Sequence, residues 1–237
     1  MTWRPLPLAL VAAVALGAAL LGGRSLGGQS SPASSPASSP AAVPPSSRSD
    51  PSSLAVQLGC PVCHGRRGEA PLTNIPSLAA QRAAWLQTQL EHFRHLSRTG
   101  GSGIMPRYAH NLTDAQIGSL AQAYSQDPAP VPPRMLDASL VRQGQTIFEQ
   151  GRPASGIIAC ATCHGTTGAG TAKPLIPALR GQHAGYVVYQ LGSYRHLPPS
   201  SHDPAAQAMR TVARSLTDAD IRAVAAYIEQ LPARSFQ

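Results

Sequence analysis

Cys60-Pro-Val-Cys63-His64 and Cys160-Ala-Thr-Cys163-His164 are the two stretches that decide how this chain folds. Both read C-x-x-C-H, the attachment pattern of c-type haem, and together they use all four cysteines. Each cysteine can add to one haem vinyl group as a thioether, while the adjacent histidine reaches the iron as an axial ligand. The pattern therefore predicts two covalently bound haem c groups, held by Cys60, Cys63, Cys160 and Cys163, with His64 and His164 on the irons. A redox dithiol or a zinc site shared between the pairs is the competing reading. Neither gives the histidines a role, and the surroundings are Gly, Pro and amphipathic helical stretches instead of the βαβ setting of a thioredoxin-like motif.

Outward from these motifs the chain repeats itself, which predicts two similar domains instead of one large core. CPVCHGRRGEAP at 60–71 pairs with CATCHGTTGAGT at 160–171. Asn74-Ile75-Pro76-Ser77-Leu78 pairs with Leu175-Ile176-Pro177-Ala178-Leu179, Gln81 with Gln182, and Phe93-Arg94-His95 with Tyr194-Arg195-His196, all 101 residues apart. Leu112-Thr113-Asp114-Ala115 pairs with Leu216-Thr217-Asp218-Ala219 at 104, so three added residues fall in one loop. The expected boundaries are a first domain over 54–128, a connector over 129–136 and a second domain over 137–237.

The local pattern is all helix and loop, with no sustained period-two alternation. A helix over 139–150 ends at Gly151, middle helices run over about 80–96 and 181–196, and Thr113 and Thr217 are N-cap candidates for a last helix in each repeat. Ile117, Leu120, Ala121 and Tyr124 share one face of the first of these. Domains of about 75 and 100 residues are small for a helical core, and a buried porphyrin would supply apolar surface.

Two equivalent pairs of residues are available as sixth iron ligands. Met105 and Met209 each stand seven residues before the Leu-Thr-Asp-Ala motif, whereas Met1 is terminal and Met135 lies in the Pro-rich connector. Thioether sulfur suits low-spin iron and raises its potential relative to a second histidine. His95 and His196 are the bis-histidine alternative, although a histidine at a helix C-terminus has an ordinary electrostatic explanation. His92, His110, His183 and His202 have no counterpart in the other repeat and read as surface groups.

The chain resembles the cytochrome c4 family, dihaem class I cytochromes c, over residues 54–232. The resemblance is carried by Gly144-Gln145-Thr146-Ile147-Phe148-Glu149-Gln150-Gly151, Ile158 to Gly165, the Ile-Pro-x-Leu segments, Phe93-Arg94, Tyr194-Arg195 and the two Met-to-Leu-Thr-Asp spacings. It implies two tandem class I cytochrome c domains packed with pseudo-twofold symmetry, with His64 and Met105 on the first iron and His164 and Met209 on the second. It further implies that the carbonyls of Pro76 and Pro177 accept the Nδ1–H of the two histidines, and that Arg94 and Arg195 lie near haem propionates. The long Ser/Pro tract at the N-terminus departs from the family pattern, as does Ala123, which stands where the last helix often has an aromatic residue.

Residues 1–28 contain the apolar run Pro5 to Gly23 between Arg4 and Arg24 and read as a signal peptide or a membrane anchor. Residues 29–53 form a disordered Ser/Pro/Ala linker that, mostly extended, spans up to roughly 75 Å. An apolar helix followed by such a tether predicts a periplasmic protein held at the inner membrane by an uncleaved N-terminal segment; the alternative is a soluble periplasmic protein after signal cleavage. The formal charge of +8 arises from 18 arginines and one lysine against 11 acids. A basic surface suits an acidic redox partner. The scattered basic residues and the lack of a binding motif speak against nucleic acid.

With both axial positions filled, no site is open to a small-molecule substrate, and one-electron carriage is the expected function, without enzymatic chemistry. The expected partners are redox proteins of the respiratory chain, a quinol-oxidising complex or dehydrogenase as donor and a terminal oxidase as acceptor. The alternative is a dedicated cytochrome subunit of a larger periplasmic dehydrogenase or oxidase complex. Formal charges of +2 over 55–130 and +3 over 137–237 give no polarity between the repeats.

Overall fold

The computed structural model describes residues 51–100, 102–127, 136–173, 175–199 and 203–232. The expected N-terminal helix, almost all of the linker, most of the connector, Met135 and His202 lie outside the described residues. Within them the chain is helical with no strand. The first repeat contains α1 (Pro51–Gln57), α2 (Pro61–His64), α3 (Ala83–Arg94), α4 (Ile104–Ala109) and α5 (Asp114–Gln126). The second contains α6 (Ala138–Gln150), α7 (Ala161–His164), α8 (Ala184–Arg195), α9 (Pro204–Ser215) and α10 (Asp218–Gln230), with a 3-10 turn at Pro153–Ser155. Helix α1 takes in Pro51, Ser52 and Ser53, the last residues of the expected linker.

The last helices start where their caps dictate. Thr113 accepts from the Gln116 amide and Thr217 from the Asp220 amide, and in each case the third residue's side chain reaches back to the threonine amide. These are reciprocal capping boxes, and they fix the register of the apolar face behind them. In α5 that face is Ile117, Leu120, Ala121 and Tyr124, all buried, and it packs on Leu86 and Phe93 of α3. In α10 Ile221, Val224, Ala225 and Ile228 pack with Phe148 of α6 and with Val187 and Leu191 of α8. Each repeat thus has its own apolar cluster.

Helices α6 and α10 approach so closely that only glycine fits at position 144, where a Cβ would stand 1.9 Å from the Ala223 carbonyl oxygen. The Phe148 and Tyr227 rings meet beside this crossing at 5.3 Å between centroids. Tyr227 donates its hydroxyl proton to Glu149 at 2.7 Å.

The repeats join through equivalent residues. Gln81 Nε2 donates to the Ala178 carbonyl and Gln81 Oε1 accepts from the Ala178 amide, both at 3.0 Å. Gln182 makes the same pair with Ser77, both at 2.9 Å. Each carboxamide satisfies a backbone donor and acceptor of the other repeat that would otherwise be buried without partners. Beside them, Arg82 donates to the carbonyls of Ala169 and Gly170 at 3.3 and 3.0 Å.

Gly144→Ala is expected to destabilise the protein by about 3 kcal/mol, because the clash is with backbone that cannot turn aside. Gly118 lies in α5 with nothing within 4 Å of its virtual Cβ, so Gly118→Ala is expected to stabilise by about 0.5–1 kcal/mol. Thermal unfolding of the two variants against the parent measures both signs.

Candidate haem-binding sites

Each C-x-x-C-H motif is one helical turn. In α2 the Cys63 and His64 amides donate to the Cys60 carbonyl at 3.3 and 3.0 Å, and the Gly65 amide donates to Pro61 at 3.0 Å. The corresponding bonds in α7 are 3.2, 2.9 and 2.9 Å. A turn of this kind places residues i, i+3 and i+4 on one face, so two sulfurs and an imidazole are presented together. Gly65 ends the turn at φ 75°, where a Cβ would lie 2.3 Å from the Glu69 carbonyl oxygen, so the sharp exit belongs to glycine.

The loop after each motif then folds back. The Leu78 amide donates to the Gly68 carbonyl at 2.8 Å, and the Leu179 amide to the Gly168 carbonyl at 2.7 Å. These bonds bring the Pro76 carbonyl to 3.0 Å from His64 Nδ1 and the Pro177 carbonyl to 3.1 Å from His164 Nδ1. A carbonyl only accepts, so Nδ1 carries the proton and Nε2 keeps its lone pair. Burial lowers the pKa of both imidazoles, against a smaller upward pull from the proline carbonyls, which favours the neutral ligating form. Both side chains are buried. Burial also pushes the Cys60 thiol up, and that of Cys160 to about 11.

The donor set fits haem c. Paired thiols on one turn match its two vinyl groups, and a neutral imidazole fixed through Nδ1 matches its iron. The structure gathers the proposed partners by repeat: Cys60 and Met105 pack against the first apolar cluster, Cys160 and Met209 against the second. Met105 is the second residue of α4, and Met209 lies in the middle of α9. His95 and His196 are exposed C-cap residues of α3 and α8, as a surface role requires.

Arg94 and Arg195 meet protein carboxylates, Asp114 and Asp218, and the carbonyls of Leu112 and Leu216. They tie the end of the middle helix to the start of the last one, and the Arg195 guanidinium holds the exposed Asp218 carboxyl below its ordinary range. One reading is corrected: His183 is no surface group. Its Nε2 lies 2.8 Å from the Ala70 carbonyl of the first repeat, and its Nδ1 3.4 Å from Glu229, whose side chain is 5% exposed. The lack of a counterpart suggested a surface residue, yet position 183 corresponds to Arg82, and the two make matching contacts across the interface.

The Cytochrome c family profile matches residues 141–232. Cytochrome c4 of Pseudomonas aeruginosa is 34% identical over 174 residues, covering 73% of this chain and 83% of that protein. This chain belongs to the cytochrome c4 family. The crystal structure of reduced recombinant cytochrome c4 from Pseudomonas stutzeri superposes with a TM-score of 0.66 at 29% identity, covering 77% of this chain and 99% of that one. The thiosulfate dehydrogenase electron acceptor of Stutzerimonas stutzeri is 39% identical over 93 residues, 39% of this chain and 41% of its own. As a member of the cytochrome c4 family, the chain carries two covalently attached haem c groups and transfers electrons between redox proteins; it is not an enzyme.

His183→Ala is expected to lower stability on the order of 3 kcal/mol, since it strips the imidazole from a buried carboxylate. Adding Glu229→Leu should recover most of that loss. Denaturant midpoints of the single and double variants provide the comparison.

Proposed function

We propose that His64 and Met105 ligate the iron of the first haem and His164 and Met209 that of the second. The repeated bond from histidine Nδ1 to a proline carbonyl carries this reading, because it leaves Nε2 as the coordinating atom at two equivalent places. The haem, once bound, supplies a one-electron Fe(III)/Fe(II) couple. The protein's share is to present the attachment turn, hold each imidazole neutral and oriented, and supply a thioether from a separate helix. With histidine and methionine both bound, the iron would have no position open to a substrate, and electron transfer is the chemistry it would supply.

The chain is organised as two tandem class I cytochrome c domains, 54–128 and 137–237, joined by a connector over 129–136 and packed with pseudo-twofold symmetry. The reciprocal Gln81 and Gln182 contacts support that arrangement. Residues 1–28 anchor the protein to the inner membrane, 29–53 serve as a tether, and the haem domains face the periplasm. Single electrons pass from a quinol-oxidising complex or dehydrogenase to a terminal oxidase. A second reading, a dedicated subunit of a larger dehydrogenase complex, is favoured by the 39% identity to a thiosulfate dehydrogenase electron acceptor.

In the oxidised holoprotein, Met105→Ala and Met209→Ala should each remove about half of the sulfur-to-iron charge-transfer band, since each repeat supplies one sulfur ligand. An unchanged band in either variant refutes that ligand. Fractionation of cells expressing the full chain should place the haem in the membrane pellet, and deletion of residues 1–28 behind a cleavable export signal should move it to the periplasmic extract.

A further inference from the structure

The two methionine segments are built differently. Met209 lies within a helix of 12 residues, whereas Met105 lies on one of six. Two positions before Met209, Gln207 Nε2 donates to the carbonyls of Pro198 and Pro199 at 2.9 and 3.2 Å. One position after it, Arg210 Nε donates to the Leu197 carbonyl at 2.8 Å. Gln207 and Arg210 are three residues apart and so share a face of α9. That face is stapled to the loop leaving α8, while Met209 packs on the second core.

In the first repeat, Gly103 and Pro106 occupy the positions of Gln207 and Arg210, and neither has a side-chain donor. Gly100 and Gly103 are left-handed, at φ 67° and 62°, and Leu96, the counterpart of Leu197, is 64% exposed. The nearest upstream staple is Arg98, which donates to Gln89, Tyr186 and Gln190, seven residues before Met105.

From this difference we infer that Gln207 and Arg210 are positioning residues for Met209, and that the second iron therefore keeps its sulfur ligand while the first gives up Met105 readily to an outside ligand. The inference rests on the ligation proposed above. A thioether on a clamped helix leaves only when the bonds on both sides of it break together. One on a short helix behind glycines leaves with a few backbone rotations.

Titration of the oxidised holoprotein with imidazole, followed by the sulfur-to-iron band, tests this. Two phases are expected, with half-saturation of the second at about ten times the imidazole concentration of the first. Met105→Ala should delete the early phase and Met209→Ala the late one. If neither variant loses band amplitude before imidazole is added, the ligand reading itself fails; if both do, the ligands stand and the clamp is judged separately. Gln207→Ala with Arg210→Ala should retain both haems by intact mass and the full starting amplitude, yet shift the late phase onto the early one. Gln207→Ala alone should shift it part of the way, which serves if the double variant loses haem, and Arg210→Lys should restore most of the gap. A single phase in the parent, a late phase that belongs to Met105, or a late phase unmoved by the clamp variants overturns the inference.

Discussion

The geometry of a single helical turn constrains everything else in this protein. Two thiols and an imidazole must face one planar group, and only positions i, i+3 and i+4 of a right-handed turn provide that within five residues. The turn is too short to be stable alone, so its exit glycine, the loop that folds back through Gly68 or Gly168, and the proline carbonyl on Nδ1 exist to hold it. The helices around it then do two jobs. They close an apolar cluster behind the turn, and they bring a methionine from a separate segment to the same cluster.

The same loop also makes the contact between repeats. Ser77 and Ala178 follow directly on Pro76 and Pro177, so the residues that orient the imidazoles adjoin those that accept the glutamine carboxamides of the other repeat. The backbone that fixes one histidine is therefore braced by the opposite repeat. A buried polar seam of this kind is satisfied in only one register, which supports a defined relation between the two centres. Identity across the seam is incomplete: Arg82 reaches Gly170, while at the matching place His183 reaches Ala70 and also meets Glu229.

Net charge per repeat shows no polarity, but the packing does. The second repeat has the glycine-mediated crossing of α6 on α10 and the stapled methionine helix; the first has the short α4. The three added residues fall between the middle helix and Met209, in the stretch that contains the start of α9. A small insertion thereby accompanies a change in how one methionine segment is held.

Much of this was legible in the chain itself. Haem attachment, the internal repeat, the all-helical class, the capping threonines and the buried face of α5 are local properties, set by residue type at short spacing, and a linear reading captures them. Which residues meet across the fold was decided by tertiary structure alone. Arg94 and Arg195 pair with Asp114 and Asp218, partners that their type does not name; His183 looked like a surface histidine and is half-buried at the seam. Gln81 and Gln182 were visible as a matched pair, but nothing in their type says that they pair with backbone in the other repeat. A long polar side chain has many partners open to it, and its choice depends on which loop folding brings within 3 Å, a distance that sequence spacing does not encode.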